Sequence, residues 1–174
     1  MDEVYNPGAI ANFEPELDGY KFGSSAHFPG ALAPPADPDN THTATISGSF
    51  PDTFGRDTQQ WTLPARKPTG TYLAPGTIAT VSVPPALVGQ GYQVRVGAHS
   101  WDLSGRRWVE RLDRATILYD LDATSIRVAS PYGGGIYIEV PKGADAGVVS
   151  VDVTGAVRSP YFSLKSFHTT TNSE

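Results

Sequence analysis

The four histidines are the first residues to consider, because imidazole binds zinc and also serves as a general base. They are His27, His42, His99 and His168, and no two of them have the HExxH spacing that points two imidazoles at one metal. His99 lies in the segment GAHSWDL, three residues before Asp102, where a His–carboxylate pair could orient a base. The favoured alternative is that both side chains bond loop backbone at a strand end. We predict no metal ligands and no catalytic residues in this chain, although a zinc site built from several strands stays an unsupported alternative.

Other catalytic patterns are also missing from the sequence. The chain contains no cysteine and no G-x-S-x-G elbow, so it offers neither a thiolate nor an activated serine. Gly133, Gly134 and Gly135 precede an alternating apolar segment rather than the GKS or GKT and helix of a phosphate-binding loop. Three residues without Cβ predict backbone that lies close to another surface, either a ligand or another loop. We expect them to face substrate or a further segment of a longer protein.

Aromatic residues near loops favour sugar binding, because a pyranose face stacks on an indole or phenol ring. Trp101 and Trp108 flank the polar loop DLSGRR, Tyr132 adjoins the three glycines, and Trp61 precedes LPARKPTG. The alternative is that these rings close the edges of a β-sandwich. The predicted substrate-binding residues are Trp101, Trp108, Tyr132, Gly133, Gly134 and Gly135.

Composition excludes several functional classes. The 174 residues contain 13 Lys and Arg against 18 Asp and Glu, which gives a net charge of −5. An acidic chain without a basic patch does not fit nucleic-acid binding, which requires neutralisation of phosphates. The sequence has no apolar stretch long enough for a membrane span, and its amino terminus is acidic where a secretory signal would be basic and then apolar.

The elements that must position these residues are predicted to be strands. Apolar and polar residues alternate, as in strands with one buried face, most clearly over 79–83, 92–98, 136–140 and 149–153. Weaker candidates are 43–49, 115–121, 125–129 and 161–164. No window shows helical periodicity, so we predict an all-β fold. The expected architecture is an antiparallel two-sheet β-sandwich, jelly-roll or immunoglobulin-like, with very little helix and with a closed barrel as the alternative.

Three regions are expected along the chain. Residues 1–40 are rich in Pro and Gly and predict an extended arm or linker, which Tyr20, Phe22 and Phe28 could dock on the sheet that follows. Residues 41–168 form the β-sandwich domain, and residues 169–174 form a tail that leads to a missing catalytic segment.

Several motifs occur in an order that is more specific than any one of them. They are PTGTYLAPGTIATVSVP, YQVRVGAHSWDL, RLDR, SPYGGGIYIEVP and GAVRSPYF. Across about residues 61–168 the chain thereby resembles the amino-terminal β-sandwich part of the enhancin-like (M60-like) zinc metallopeptidases. The motif positions shared with that family are Thr69, Gly70, Tyr72, Pro75, Gly76, Gly97, His99, Gly133 and Gly134.

The resemblance implies a bacterial, exported protease that cleaves heavily glycosylated proteins such as mucins. It implies zinc held by an HExxH helix and a downstream glutamate in the full-length parent, none of which is in this chain. The chain is then expected to be a secreted or cell-surface, non-catalytic part that supports the catalytic segment and substrate binding. Its expected partners are that segment and a glycoprotein or glycan, with no nucleic acid and no membrane span. The alternative is a self-sufficient carbohydrate-binding module.

Overall fold

The computed structural model describes residues 18–51, 63–100 and 115–161. These residues form nine strands: β1 (Thr41–Ser49), β2 (Ala65–Leu73), β3 (Ile78–Ser82), β4 (Gln93–His99), β5 (Ala115–Asp120), β6 (Ser125–Ala129), β7 (Gly134–Val140), β8 (Asp145–Thr154) and β9 (Val157–Arg158). Helical structure in the described residues is limited to two 3₁₀ turns, Gly23–Ala26 and Pro85–Leu87. The all-β prediction is confirmed.

The strands form two sheets. One has four strands in the order β1-β8-β3-β6, and the other has five in the order β5-β4-β7-β2-β9. Every neighbouring pair is antiparallel, and the buried apolar residues of both sheets form one cluster between them. The two-sheet sandwich predicted from the sequence is therefore confirmed.

Alternation along the strands fills the core. Val94 and Val96 of β4 and Ile136 and Ile138 of β7 are fully or almost fully buried, because successive strand residues point to opposite faces of a sheet. The core is completed from the four-stranded sheet by members such as Val81, Val128, Val151 and Val153.

Two buried tyrosines connect the sheets by hydrogen bonds. The Tyr92 hydroxyl, just before β4, donates to the Gly48 carbonyl of β1 at 2.7 Å. The Tyr119 hydroxyl of β5 donates to the Ala129 carbonyl of β6 at 2.6 Å and accepts from the Ala129 N–H at 3.1 Å. Burial raises the pKa of Tyr119 to about 12 and also raises the pKa of Tyr92. Both phenols are thus held neutral in the core.

Seven of the eight predicted strands coincide with β1, β3 and β4–β8. The eighth, 161–164, lies outside the described residues except for Tyr161, which is not in a strand. The sequence did not predict the two-residue strand β9, and it did not predict β2. β2 contains Pro68 and Gly70, and its pairing with β7 shifts register between Pro68 and Tyr72. A bulge of this kind breaks the two-residue period by which strands are recognised.

Candidate functional site

The predicted glycine loop lies at the start of β7 and packs against the domain itself. Gly134 has a φ of +138°, and a Cβ built there would lie 2.7 Å from the Gly97 Cα atom. A Cβ on Gly133 would lie 2.4 Å from the Leu73 carbonyl oxygen, and one on Gly135 would lie 2.8 Å from the Tyr137 hydroxyl. The sequence left open whether the nearby surface is a ligand or another loop. In the structure Gly133 and Gly134 approach neighbouring backbone, and Gly135 approaches the Tyr137 side chain. The prediction that they also face a further segment or substrate stays a prediction.

Gly97, in the G-A-H segment, stands where β4 departs from regular pairing. The register between β4 and β5 shifts between Val96 and His99. Gly97 has a φ of +91°, and a Cβ there would lie 2.3 Å from the Ala115 carbonyl oxygen. The positive φ at the bulge and the close approach of β5 therefore both require glycine at this position.

The T-G-x-Y motif on β2 connects neighbouring segments. The Thr69 hydroxyl donates to the Ile136 carbonyl at 2.8 Å, and the Tyr72 hydroxyl donates to the Gly30 carbonyl at 2.5 Å. Burial, followed by the neighbouring Tyr137, raises the pKa of Tyr72. A Cβ on Gly70 would lie 2.7 Å from the Tyr161 ring. Each of these residues thus has a packing or bonding partner within the chain.

The P-G turn holds the start of the described chain. Pro75 is buried, and a Cβ on Gly76 would lie 3.1 Å from the Gly19 backbone. The Gly19 N–H donates to the Gly76 carbonyl at 2.8 Å. We call the region formed by Thr69–Gly76, Gly97–His99 and Pro131–Gly135 the motif end of the sandwich, because the motif residues meet there.

Residues 18–30 cover part of the motif end. The Phe22 ring lies 4.8 Å from the Tyr132 ring, and the Phe28 ring lies 4.6 Å from the His99 ring. Tyr132 is 6% exposed, so the ring face that Phe22 covers is not accessible to a sugar in this arrangement. Two of the three aromatic residues proposed to dock this segment therefore contact the motif end. The glycan-stacking role of Tyr132 stays a prediction.

The remaining predicted binding residues, Trp101 and Trp108, lie outside the described residues, as do Trp61 and Asp102. The imidazole of His99 is exposed and contacts Phe28. The proposed His99–Asp102 pair is accordingly not described.

A buried ion cluster lies beside the motif end, on the outward face of the five-stranded sheet. Glu139 is 2% exposed and Arg95 is 7% exposed, although their neighbours along the strands point into the core. The Glu139 Oε1 atom accepts a hydrogen bond from Arg66 Nε at 2.9 Å and a second one from Arg95 Nε. Arg95 Nη1 also donates to the Thr116 hydroxyl at 2.8 Å. We call Arg66, Glu139 and Arg95 the Arg–Glu–Arg cluster.

The Arg–Glu–Arg cluster fixes the end of β4. Arg66 Nη1 donates to the Ala98 carbonyl, and the Thr116 hydroxyl donates to the Gly97 carbonyl, both at 2.9 Å. The Tyr137 ring centroid lies 5.7 Å from the Arg66 Cζ atom, a cation–π distance. Two carbonyls of the G-A-H segment thus receive side-chain donors, and the segment carrying His99 is held in place.

The sequence did not predict this cluster. Arg95 and Glu139 occupy the polar positions of two alternating strands, which was the available signal. Their meeting depends on the pairing of β4 with β7, in which Gln93 lies opposite Glu139 and Arg95 opposite Tyr137. Strand order and register are long-range properties that alternation does not encode.

No group of three or more His, Asp or Glu residues that could hold a metal ion occurs within the described ranges. His27 follows the first 3₁₀ turn, His42 lies in β1 and His99 ends β4, so the described residues do not fit the zinc that the resemblance implies for the parent. In residues 18–51, 63–100 and 115–161 there is also no helix with the length and apolarity needed to cross a membrane.

Comparison with known proteins gives a family match. Residues 39–154 match the family described as the N-terminal domain of M60-like peptidases. TRPM8 channel-associated factor 2 of Homo sapiens is 38% identical over 96 residues, which are 55% of this chain and 10% of that protein. A TRPM8 channel-associated factor homolog of Danio rerio is 33% identical over 94 residues, 54% of this chain and 10% of that protein. The chain thus matches about a tenth of the length of these relatives.

A solved structure shares the fold. The IMPa metallopeptidase in complex with T-antigen superposes with a TM-score of 0.52 and 23% sequence identity, over 82% of this chain and 14% of that one. The family match confirms the resemblance that the ordered motifs indicate.

Proposed function

The chain belongs to the family of N-terminal domains of M60-like peptidases, and we propose that it is a non-catalytic part of a zinc metallopeptidase that acts on glycoproteins such as mucins. In this proposal it supports the catalytic segment and contributes to substrate binding. The parent peptidase, meaning the longer protein that contains this domain, is secreted or lies at the cell surface. Zinc belongs to the catalytic segment. The match of residues 39–154 to the family carries the proposal.

The arrangement of polar groups supports a non-catalytic role. The sequence has no HExxH motif. Glu139, the most buried carboxylate among the described residues, already accepts hydrogen bonds from two guanidinium groups. The hydroxyls of Thr69 and Thr116 are engaged with backbone carbonyls. These contacts rigidify the sheet, as expected of a scaffold that presents a surface.

Substrate binding is supported by the outward face of the five-stranded sheet. Arg66 and Tyr137 are partly exposed there, next to the motif end. An aromatic ring can stack on one face of a sugar while a neighbouring cation donates hydrogen bonds to its hydroxyls. IMPa, which contains a similarly folded part, is a metallopeptidase solved in complex with T-antigen. A peptidase that binds this antigen supports a glycoprotein as the substrate class.

The proposal is tested on the full-length peptidase with and without this domain. Cleavage of an O-glycosylated protein is measured by steady-state kinetics, and zinc content and thermal unfolding of the catalytic segment are measured as controls. We expect removal of the domain to raise KM for the glycoprotein if the domain binds substrate, and to lower the unfolding temperature of the catalytic segment if it supports that segment. Unchanged kcat, KM and unfolding temperature would refute the proposal.

The second candidate is a self-sufficient carbohydrate-binding module, which is favoured by the sandwich architecture and the partly exposed Arg66 and Tyr137. Glycan-array binding by the 174-residue chain alone, lost on Trp101→Ala or Trp108→Ala, would support this candidate. Binding that requires the catalytic segment would support the peptidase-part proposal instead.

A further inference from the structure

The Arg–Glu–Arg cluster contains more positive than negative charge. It combines two guanidinium groups with one carboxylate, and the carboxylate and one of the guanidinium groups are almost fully buried. Charges removed from water are costly unless they are compensated. Among the described residues of the cluster, one unit of positive charge remains, and an anion would offset it.

Arg66 is the member of the cluster that can reach an external anion. Its side chain is 31% exposed, against 2% for Glu139. Its Nε donates to Glu139 and its Nη1 to the Ala98 carbonyl. A guanidinium has five N–H donors, so three have no hydrogen bond to a described residue. Two neighbouring N–H groups of this planar fork match the two oxygens of a carboxylate or sulfate.

The surroundings hold Arg66 in one orientation. Its two hydrogen bonds end on β7 and on the end of β4, and the Tyr137 ring lies against its guanidinium. A fixed donor loses little conformational entropy on binding. The half-buried Tyr137 ring is also an apolar surface within a few ångströms of the donors, suited to the carbon face of a sugar.

Asp120 is a further acidic residue on the same sheet face, and it is engaged elsewhere. Gln93 Nε2 donates to Asp120 Oδ1 at 2.7 Å. Asp120 lies opposite Gln93 and is therefore two positions along β5 from Leu118, the residue opposite Arg95. This carboxylate does not occupy the donors of Arg66.

We propose that Arg66, backed by Arg95 and flanked by Tyr137, binds the carboxylate or sulfate group of an acidic glycan. The proposal rests on the proposed function, since it assumes that glycoproteins are the substrates, and it adds that this domain distinguishes acidic from neutral glycans. Glu139 holds the guanidinium in place and is a positioning residue.

The test is ligand titration of the 174-residue chain, followed by NMR chemical shifts. The probes are N-acetylneuraminic acid and its methyl ester, which differ in charge but little in shape, together with galactose 6-sulfate and galactose. We expect saturable shifts at Arg66 and Tyr137 with an acidic probe and at least about tenfold weaker binding of the matching neutral probe, as for the loss of one charged hydrogen-bonded pair. The sialic-acid and sulfate arms distinguish the source of the anionic group.

Variants separate binding from folding. Arg66→Gln should lose the preference for the acidic probe. Arg66→Lys should retain part of that preference because it keeps the positive charge, and should lose the rest because lysine lacks the bidentate fork. Arg127→Gln, which removes an arginine from the outward face of the other sheet, should bind like the original chain. Unfolding curves show whether each variant folds. If Arg66→Gln does not fold, the reduced acidic preference expected of Arg66→Lys still tests the site.

Two results overturn the inference. One is equal affinity for acidic and neutral probes, and the other is an unchanged acidic preference in folded Arg66→Gln. If either occurs while the full-length peptidase still needs the domain for efficient glycoprotein cleavage, the anion site is wrong and the proposed function stands. If the peptidase does not need the domain, the proposed function fails separately.

Discussion

Replacement of Gly134 by alanine tests whether the motif glycines serve the close approach of two strands. The added Cβ would lie 2.7 Å from the Gly97 Cα atom and 2.9 Å from the Gly97 nitrogen. Real Cβ atoms do not approach backbone atoms so closely, so β7 and the end of β4 must separate. Those strands also carry Glu139 and the Ala98 carbonyl, so the separation would be transmitted to the Arg–Glu–Arg cluster.

The expected destabilisation has two parts. A residue with Cβ in a left-handed backbone conformation costs about 1–2 kcal/mol, and Gly134 has a φ of +138°. Overpacking against backbone costs about 1–3 kcal/mol more. The sum of about 2–5 kcal/mol is a large part of the stability of a typical domain, and at about 2–4 °C per kcal/mol it lowers Tm by roughly 4–20 °C.

Gly89→Ala is the matched control, because Gly89 has a φ of +69° and no atom within 4 Å of the position of a Cβ. It should cost only the conformational part, about 1–2 kcal/mol. Urea unfolding of both variants, with midpoints and slopes compared, shows how much more an added Cβ costs at the crowded position than at the open one.

Equal destabilisation by Gly134→Ala and Gly89→Ala would refute the reasoning, since the close contact would then have no energetic effect. Loss of stability in Gly134→Ala is expected from packing within this domain alone. The substitution therefore does not by itself show that the loop faces substrate or a further segment.

Three further predictions concern other contacts. Because burial raises the pKa of Tyr119 to about 12 from an unfolded value of about 10, its contribution is fully present below pH 10. About 3 kcal/mol is lost as the pH rises through about 12. Tyr119→Phe should flatten this alkaline decline while costing about 1–2 kcal/mol at pH 7, and a parallel decline in both proteins would contradict the assignment. Glu139→Gln should lower the free energy of unfolding by about 3–5 kcal/mol, since two guanidinium groups lose their counter-charge. Asp120→Asn, at an exposed position, should lower it by less than about 1 kcal/mol. Similar urea midpoints for the two variants would contradict the role of the cluster. Phe22→Ala should uncover Tyr132 and speed hydrogen exchange of the backbone amides at Gly19 and around position 22. Unchanged exchange at these amides would show that the ring contact does not hold residues 18–30.

Most strands could be predicted because each buries one face. Residues such as Val94, Val96, Ile136 and Ile138 alternate with polar residues, and a two-residue period follows directly from strand geometry. β2 could not be predicted, because Pro68, Gly70 and the register shift beside them interrupt that period. Local pattern thus identifies a strand whose alternation is long enough to recognise, including β4 with its bulge near the end, and it misses β2, where Pro68 and Gly70 interrupt the middle of the strand.

The candidate site was partly predictable for a related reason. Glycine type alone indicated that Gly133 and Gly134 approach another surface, but the identity of that surface depends on β7 lying between β4 and β2. The Arg–Glu–Arg cluster depends on the same strand order. The sequence could predict that Phe22 and Phe28 dock residues 18–30 on the sheet. It could not predict that their partners are Tyr132 and His99, because those contacts depend on the fold.

The central claim, that this domain contacts glycoprotein substrate without performing the chemistry, is tested most directly by hydrogen exchange on a catalytically inactivated full-length peptidase. Exchange is measured by mass spectrometry with and without an O-glycosylated protein, and again with the same protein after enzymatic removal of its glycans. We predict slower exchange in β4, β7 and the motif end with the glycosylated protein and little change with the deglycosylated one. Protection confined to the catalytic segment, with no change in this domain, would contradict the account.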